Sequence, residues 1–345
     1  MLADILGVRW PLVQAPMAGV QGVELALAVS GAGALGSLPC AMLSGPSLGE
    51  ALLQIQARGL PVNLNFFCHV PAPADPLREA AWRSTLAPYF RELGLAAEAS
   101  VPAVVRAPFT DTIADLIAPF KPPVISFHFG LPSDALLARV RSWGTRILSS
   151  ATTVDEALWL QRRGVDAIIA QGLEAGGHRG MFLTQDTTTQ LGTLALLPQV
   201  VRSVDLPVIA AGGIADAGGV AAAMALGASG VQIGTAYLLC PETATSAVHR
   251  DALQSDAARH TALTRVFSGR PARGIVNRIM RELASREAVV PAFPLASTAL
   301  TPLRQAAESR GLGDFSPLWA GQNASGCKAI AAAELTRELV RGLAF

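Results

Sequence analysis

Short and almost wholly apolar runs recur along the first two-thirds of the chain, and a stretch with helical periodicity follows most of them. Apolar runs without strict polar–apolar alternation are typical of parallel strands whose two faces are both buried. In the predicted helix 154–163, acidic residues lie at the N-terminal end and arginines at the C-terminal end, where the helix dipole stabilises each charge. We predict eight strands, over residues 12–17, 34–38, 62–67, 124–129, 147–151, 167–171, 207–211 and 231–237.

Eight strand–helix repeats predict a TIM (β/α)8 barrel, an α/β fold in which helices surround a closed parallel sheet. An open, doubly wound parallel sheet is the alternative that the same pattern allows. We assign residues 1–245 to the barrel, with an enlarged third connection at about 68–123. The predicted helices cover residues 23–30, 47–58, 76–93, 112–117, 134–143, 154–163 and 218–226.

The strand–helix period ends after the eighth predicted strand. Residues 246–328 contain several arginines, many prolines and short helical patterns. We predict that they form a smaller, mostly helical cap domain over one end of the barrel, with His249 and His260 at its surface. The last segment, 329–345, is predicted to be a helix that packs back on the barrel.

Composition narrows the possible classes of protein. Hydrophobic residues make up 51% of the chain and charged residues 15%, which excludes a disordered chain. The 27 Lys and Arg residues nearly balance the 26 Asp and Glu residues, so no broad basic field is available to hold nucleic acid. The four cysteines are scattered and form no CxxC pair, which indicates reduced thiols in a cytoplasmic protein.

One stretch without charged residues, 217–241, is long enough to span a membrane. Its glycines divide it into an alanine-rich helical part and a β-branched part, so a buried helix–strand unit explains it better. The N-terminal residues lack the basic region and apolar core of a signal peptide. We therefore expect no membrane span and no secretion.

Glycines follow the seventh and eighth predicted strands, as Gly212-Gly213 and as Gly234-Thr235. In TIM barrels, the loops at these two positions often bind a phosphate with backbone N–H groups. Glycine lets the backbone approach the phosphate oxygens, and a helix N-terminus adds partial positive charge. We predict a phosphate site here, although glycines that only form tight turns remain the alternative. No GxGxxG fingerprint follows the first predicted strand, and the chain has no GxxxxGK(S/T) P-loop.

Three histidines fall at the ends of predicted strands, on what would be one rim of a barrel: His69, His128 and His178. His178 lies in the glycine-rich segment 171–180, where an imidazole can act as a base near neutral pH. Three histidines could also bind zinc, but no acidic or cysteine pattern supports a metal site. For His128 a hydrogen-bonded structural role is the alternative.

Polar side chains also occur within otherwise apolar strands, namely Asn65, Gln171 and Gln232. Buried polar groups need hydrogen-bond partners. The carbonyls and ring nitrogens of a flavin would offer such partners.

Seven segments match one known family, in order and over nearly the whole chain. They are residues 14–19, 33–37, 63–67, 126–130, 171–180, 210–214 and 232–236. The sequence resembles the nitronate monooxygenases, formerly called 2-nitropropane dioxygenases, which are FMN-dependent TIM-barrel enzymes. Its HFG and EAGGHRG segments look like the class I branch of that family.

This resemblance implies that FMN lies across the C-terminal rim of the barrel. It places the phosphate at Gly212, Gly213, Gly234 and Thr235, and the remainder of the cofactor near Ala15, Met17, Asn65, Gln171, Gly176 and Gln232. The catalytic histidine of the family corresponds to His178, and both His128 and His178 are assigned to the substrate side.

The implied reaction oxidises an alkyl nitronate with O2 to a carbonyl compound and nitrite, through a flavin semiquinone. With a neutral nitroalkane, the histidine first removes the proton next to the nitro group. An NAD(P)H-dependent flavin reductase of the quinone or enoyl reductase type, on the same barrel, is the alternative enzyme, and a non-catalytic flavin carrier is a third possibility. We expect a monomer or a homodimer.

Five arginines crowd one segment of the cap: Arg265, Arg270, Arg273, Arg278 and Arg281. A solvated face with weak ion pairs is one interpretation. The other is that one or two guanidinium groups face the rim and bind an anionic substrate or the flavin phosphate. Glycine and proline interrupt the helical pattern around Arg270 and Arg273, so under the second interpretation these two are the ones expected to point inward.

Overall fold

The computed structural model describes residues 2–96 and 106–343. Residues 97–105, which fall within the predicted third connection, lie outside the described residues. So do residue 1, at the start of the predicted barrel, and residues 344–345, at the end of the predicted final segment.

The strands are β1 (Leu12–Gln14), β2 (Gly36–Pro39), β3 (Val62–Phe67), β4 (Val124–His128), β5 (Arg146–Ala151), β6 (Ala167–Gln171), β7 (Gly177–His178), β8 (Val208–Ala211), β9 (Gly230–Ile233), β10 (Thr261–Thr264) and β11 (Ala272–Ile275). Eight of them are parallel and form a sheet that wraps into a nearly closed barrel, in the order β1-β9-β8-β6-β5-β4-β3-β2. A parallel bridge between Val13 of β1 and Leu35, the residue before β2, links the two ends of that order. The predicted TIM barrel is therefore confirmed, and the open doubly wound alternative is wrong.

The predicted first and eighth strands are shorter in the structure than in the sequence interpretation. Strand β1 ends at Gln14, and β9 ends at Ile233. After β9 the chain turns into a buried 3-10 helix, Thr235–Leu239, that the apolar pattern had assigned to the strand. Apolar character alone does not distinguish a buried strand from a buried helical turn.

Helices surround the barrel and continue into the cap. Several begin with a residue whose side chain caps the helix N-terminus. For example, the side chains of Thr153 and Asp216 accept hydrogen bonds from the backbone N–H groups of Glu156 and Gly219. None of the described helices has the length and apolar content needed to cross a membrane. The α-helices are α1 (Leu2–Leu6), α2 (Val23–Gly31), α3 (Gly45–Arg58), α4 (Pro76–Glu92), α5 (Asp111–Ile117), α6 (Asp134–Ser142), α7 (Val154–Arg162), α8 (Thr193–Ser203), α9 (Ala217–Ala225), α10 (Ala247–Gln254), α11 (Arg278–Glu282), α12 (Ala296–Glu308) and α13 (Ala332–Leu339).

The interior of the barrel is apolar toward its N-terminal end. Leu2 and Leu6 of α1 pack with inward-facing strand residues such as Val13, Leu148 and Ile209. This plug closes one end of the barrel, so that the interior is accessible from the C-terminal rim, where TIM-barrel sites lie.

The cap combines two parts of the chain. Helix α4, from the enlarged third connection, packs with α11 and α12 of the cap in one apolar cluster, and Nε1 of Trp82 donates to the carbonyl of Ala296 at 3.2 Å. The cap also contains the antiparallel hairpin β10–β11, which the prediction of a mostly helical domain had missed. The short strands of this hairpin, interrupted by glycine and proline, carry too little periodicity to be detected in the sequence.

Two contacts bring the end of the chain and the cap to the barrel. Residues of α13 such as Leu335 and Leu339 belong to the main barrel cluster, and the hydroxyl of Tyr237 lies 2.8 Å from Thr336 Oγ1. Strand β11 pairs with β7, a two-residue strand in the segment that follows β6. The cap hairpin is thereby joined to the rim of the barrel at the glycine-rich segment.

Candidate active site

A cleft between the C-terminal rim and the cap encloses about 1410 Å³, including its open mouth. The residues singled out in the sequence come together here because the carboxyl ends of the parallel strands meet on one rim. Those that line the cleft are Ala15, Met17, Asn65, His128, Gln171, Gly176, His178, Gly212, Gly213, Gln232, Gly234 and Thr235. The role of each in binding or catalysis stays a prediction.

One end of the cleft is built as an anion cradle. Gly212 and Gly213 follow β8 with φ of 115° and 74°, in the left-handed region that favours glycine. The N-terminus of α9 follows them within a few residues, and the partial positive charge of such a helix end favours an anion. Thr235 Oγ1 accepts the N–H of Gly321 at 2.9 Å, which leaves its hydroxyl proton available as a donor.

The segment after the cap contributes residues that the sequence interpretation missed. Asn323 donates from Nδ2 to the carbonyl of Gly213 at 3.1 Å, and a side chain at Gly176 would place its Cβ 2.5 Å from the nitrogen of Gly321. Both Gly321 and Asn323 line the cleft. Contacts at such sequence separation leave no local signal that could have found them.

Three amide side chains line the cleft, and they differ in how many hydrogen bonds they form with the rest of the chain. Gln171 donates from Nε2 to the carbonyl of His178 at 3.0 Å and accepts the N–H of Gly180 at 2.7 Å, so it holds the loop that carries His178. Asn65 donates to Ser126 Oγ at 2.9 Å. The buried Oε1 of Gln232, in contrast, has no partner among the described residues. A buried acceptor without a partner is costly, so this atom fits a ligand that offers a donor.

His178 lies in β7 and opens onto the cleft. Its ring sits among aromatic rings that reach it from distant segments, with ring centroids 5.4 Å from Phe293 and 5.6 Å from Trp319. Burial holds the pKa of His178 well below its usual range, and the charge of Arg106 lowers it further. The imidazole is therefore neutral, and able to accept a proton, at neutral pH.

His128 supports the loop of His178. Its Nδ1 lies 3.1 Å from Ser150 Oγ and its Nε2 lies 3.3 Å from the carbonyl oxygen of His178. Both ring nitrogens are thus engaged within the chain, and burial lowers the pKa of His128 to about 4. These contacts correspond to the structural role that the sequence left open as an alternative.

His69 is buried beside the same aromatic cluster, with its ring centroid 4.8 Å from that of Phe293. Burial lowers its pKa to about 4, and Nδ1 has no partner among the described residues. Within residues 2–96 and 106–343, no group of three or more His, Cys, Asp or Glu side chains is placed to hold a metal ion.

Arg179, the residue that follows His178, is fully buried. Its guanidinium donates to the carbonyls of Gln171 and Gly172, both at 2.7 Å, and to Gln190 Oε1 at 3.0 Å. Burial lowers the pKa of Arg179 to about 10, so the group stays charged at neutral pH. This side chain ties the ends of the glycine-rich loop together and leaves little freedom for His178 to move.

The arginines predicted to point into the rim do not line the cleft. Arg270 stacks over Phe129, with Cζ 4.0 Å from the ring centroid, and donates to the carbonyl of Met181. Arg273 is buried and donates to the carbonyls of Leu173 and Thr261. Proline and glycine do break the helical pattern there, but the resulting hairpin directs both side chains under the loop after β6.

The other three arginines of that segment lie at the surface or near it. Arg278 forms ion pairs with Glu92 and Glu282, Arg265 reaches Gln185, and Arg281 is exposed. Among the residues that the structure describes, the one arginine or lysine in the cleft lining is Arg106, which the sequence analysis had missed. Its Nη1 donates to Ser297 Oγ at 2.9 Å.

His249 was predicted at the surface, and this is wrong. It is 3% exposed and lines the cleft, and its Nε2 has no partner among the described residues. Burial lowers its pKa to about 4. A short helix such as α10 does not reveal by its sequence which face packs inward. His260 is exposed, as predicted.

Comparison with known proteins identifies the family. A family model described as nitronate monooxygenase matches residues 1–342. Nitronate monooxygenase of Pseudomonas aeruginosa is 43% identical over 344 residues, covering 98% of this chain and 97% of the relative. The same enzyme of Paraburkholderia phytofirmans is also 43% identical, over 99% of this chain and 94% of the relative.

Solved structures agree. Nitroalkane oxidase from Streptomyces ansochromogenes superposes with a TM-score of 0.90 at 36% identity, covering 99% of this chain and 97% of its own. FabK from Thermotoga maritima superposes with a TM-score of 0.73 at 26% identity, covering 99% and 94%. With full-length matches in sequence and in structure, the resemblance seen in seven short segments is confirmed, and the chain belongs to the nitronate monooxygenase family of oxidoreductases.

Proposed function

We propose that the protein is an FMN-dependent enzyme that oxidises alkyl nitronates, and nitroalkanes after their deprotonation, with O2 to carbonyl compounds and nitrite. One observation carries this proposal: a single cleft joins a two-glycine anion cradle to a neutral imidazole at His178. The cradle suits a phosphate, and the imidazole suits removal of a proton from carbon.

The residues of the cleft fit FMN. Gly212, Gly213 and Thr235 would hold its phosphate, and the unpartnered Oε1 of Gln232 would accept a hydrogen bond from a ring N–H. When bound, FMN supplies an acceptor for the electrons that leave the nitronate. A carrier of flavin would need neither the imidazole nor a rigidly tied loop around it.

His178 performs the proton transfer in this proposal. Its Nδ1 has no partner among the described residues, and the ring lines the cleft. A neutral nitroalkane placed there would lose the proton on the carbon next to the nitro group to the imidazole. The aromatic rings around His178 give the site an apolar wall, and Arg106 provides positive charge for the anion that forms.

The test begins with the purified protein, which we expect to be yellow and to release FMN on denaturation. Supplied with a pre-ionised alkyl nitronate in air, it should produce nitrite and a carbonyl compound, measured by colorimetry and chromatography. Anaerobic mixing with NADH or NADPH should leave the flavin spectrum unchanged. Rapid bleaching would favour the flavin reductase instead, and a colourless protein that neither contains nor binds FMN would overturn both enzymes.

A second prediction concerns Arg106. Replacing it with methionine should raise KM for a nitronate roughly 10- to 100-fold, because a charge-assisted contact to the anion is lost. The flavin content should not change. Since the Arg106 charge lowers the pKa of His178, the acidic limb of the pH profile with a neutral nitroalkane should also move to higher pH. Arg281→Met, at an exposed position, is the control, and equal KM values in the two variants would contradict a role in substrate binding.

A further inference from the structure

Ser268 is a cap residue that reaches the imidazole of His178. It is 2% exposed, and its Oγ lies 2.8 Å from His178 Nε2 across 90 positions of sequence. Ser268 lies between β10 and β11, and β11 pairs with the backbone of His178. One structural unit therefore holds both the main chain and the ring of His178.

The turn that carries Ser268 has little freedom. The next residue, Gly269, has a φ of 90°, and a side chain there would place its Cβ 2.2 Å from the carbonyl oxygen of Pro291. The turn is thus pinned against the segment that leads to Phe293. A hydroxyl on so constrained a backbone can impose an orientation on the ring that it contacts.

Hydrogen bonds within the turn indicate which group carries the proton. Ser268 Oγ donates to the carbonyl of Arg270 at 3.4 Å and accepts the N–H of the same residue at 3.4 Å. When the hydroxyl proton points to that carbonyl, the hydroxyl presents a lone pair to His178, 2.8 Å away, and Nε2 is the donor. A neutral imidazole has one donor and one acceptor, and Nδ1 is then the acceptor.

We propose that Ser268 is a positioning residue that holds His178 in the Nε2–H tautomer and so makes Nδ1 the atom that removes the substrate proton. This inference rests on the proposed function. In the step itself, the C–H bond next to the nitro group breaks and its electron pair moves onto the nitro oxygens. The proton goes to Nδ1, which gives a nitronate and an imidazolium whose Nε2–H still donates to Ser268.

The kinetic test uses the FMN-loaded enzyme and Ser268→Ala. We expect kcat/KM for a neutral nitroalkane to fall about tenfold, the effect of one lost hydrogen bond on the orientation and tautomer of the base. Activity on the pre-ionised nitronate and the flavin content should stay within about twofold of the parent, because neither needs the base. Ser268→Cys, which keeps a weak acceptor of similar size, should be intermediate.

The control is Ser316→Ala. Ser316 is also 2% exposed in the cap, but its hydroxyl donates to Glu308 Oε1 at 2.7 Å and does not contact His178. It should show no preferential loss with the neutral substrate. Equal losses of Ser268→Ala on both substrates, or no loss on either, would overturn the positioning role.

A direct readout comes from NMR of the parent enzyme with ¹⁵N-labelled histidine. The ring nitrogens of His178, identified by their absence from His178→Ala, should show the proton on Nε2. In Ser268→Ala this preference should be reduced. A proton on Nδ1 in the parent enzyme would overturn the inference. Because this readout needs no turnover, it separates failure of the Ser268 role from failure of the proposed function, which would appear as an absence of nitronate oxidation.

Discussion

Replacing His178 with alanine should lower kcat/KM for a neutral nitroalkane by roughly 10²–10⁴-fold, the usual contribution of a general base. The imidazole is neutral at neutral pH, it lines the cleft beside the rings of Phe293 and Trp319, and Ser268 engages its Nε2. Activity on a pre-ionised nitronate should fall much less, since that substrate has already lost its proton. Steady-state kinetics on both forms, with flavin content measured in parallel, gives the comparison.

His260→Ala, at an exposed site, is the control and should leave both activities unchanged. If His178→Ala lost activity equally on the two substrates, the residue would act in binding or electron transfer and not as a base. The parent enzyme offers an independent check. Because the pKa of His178 lies well below its ordinary value of about 6.5, kcat/KM for the neutral substrate should not decline as the pH falls from about 7.5 to about 6.

Gly213→Val should weaken FMN binding roughly 10- to 100-fold, through the loss of one or two charge-assisted hydrogen bonds to the phosphate. The backbone at this position has a φ of 74°, which valine adopts only with strain, so the substitution should shift the backbone of the anion cradle. Flavin occupancy after purification and titration of the apoprotein with FMN both measure the effect.

The matched control is Gly144→Val, because Gly144 has a φ of 82° and a Cβ added there would meet no atom within 4 Å. It introduces similar backbone strain away from the cleft and should reduce thermal stability without loss of flavin. Gly234→Val, where the added atom would lie 3.2 Å from Ala15 Cβ, should also weaken FMN binding. Full flavin occupancy in folded Gly213→Val and Gly234→Val would place the phosphate elsewhere.

Much of the barrel could be predicted because its determinants are local. Continuous apolar runs, alternating with helical stretches, identified each of the eight barrel strands, with errors only at their ends. The ends of parallel strands meet on one rim by necessity, so residues as distant as Asn65 and Gly234 could be expected together. The cap offered no comparable regularity, and its hairpin and its packing against α4 were not anticipated.

The sequence by itself determined the fold class, the glycine turns of the anion cradle and the placement of His178 on the rim. Each of these follows from a periodic pattern or from a residue type at a strand end. Only the tertiary structure decided that Arg106 lines the cleft while Arg270 and Arg273 do not, that His249 is buried, and that Ser268 contacts His178. These contacts join segments of chain far apart in sequence, and which side chains meet there depends on how the cap packs on the barrel, a property that no local pattern contains.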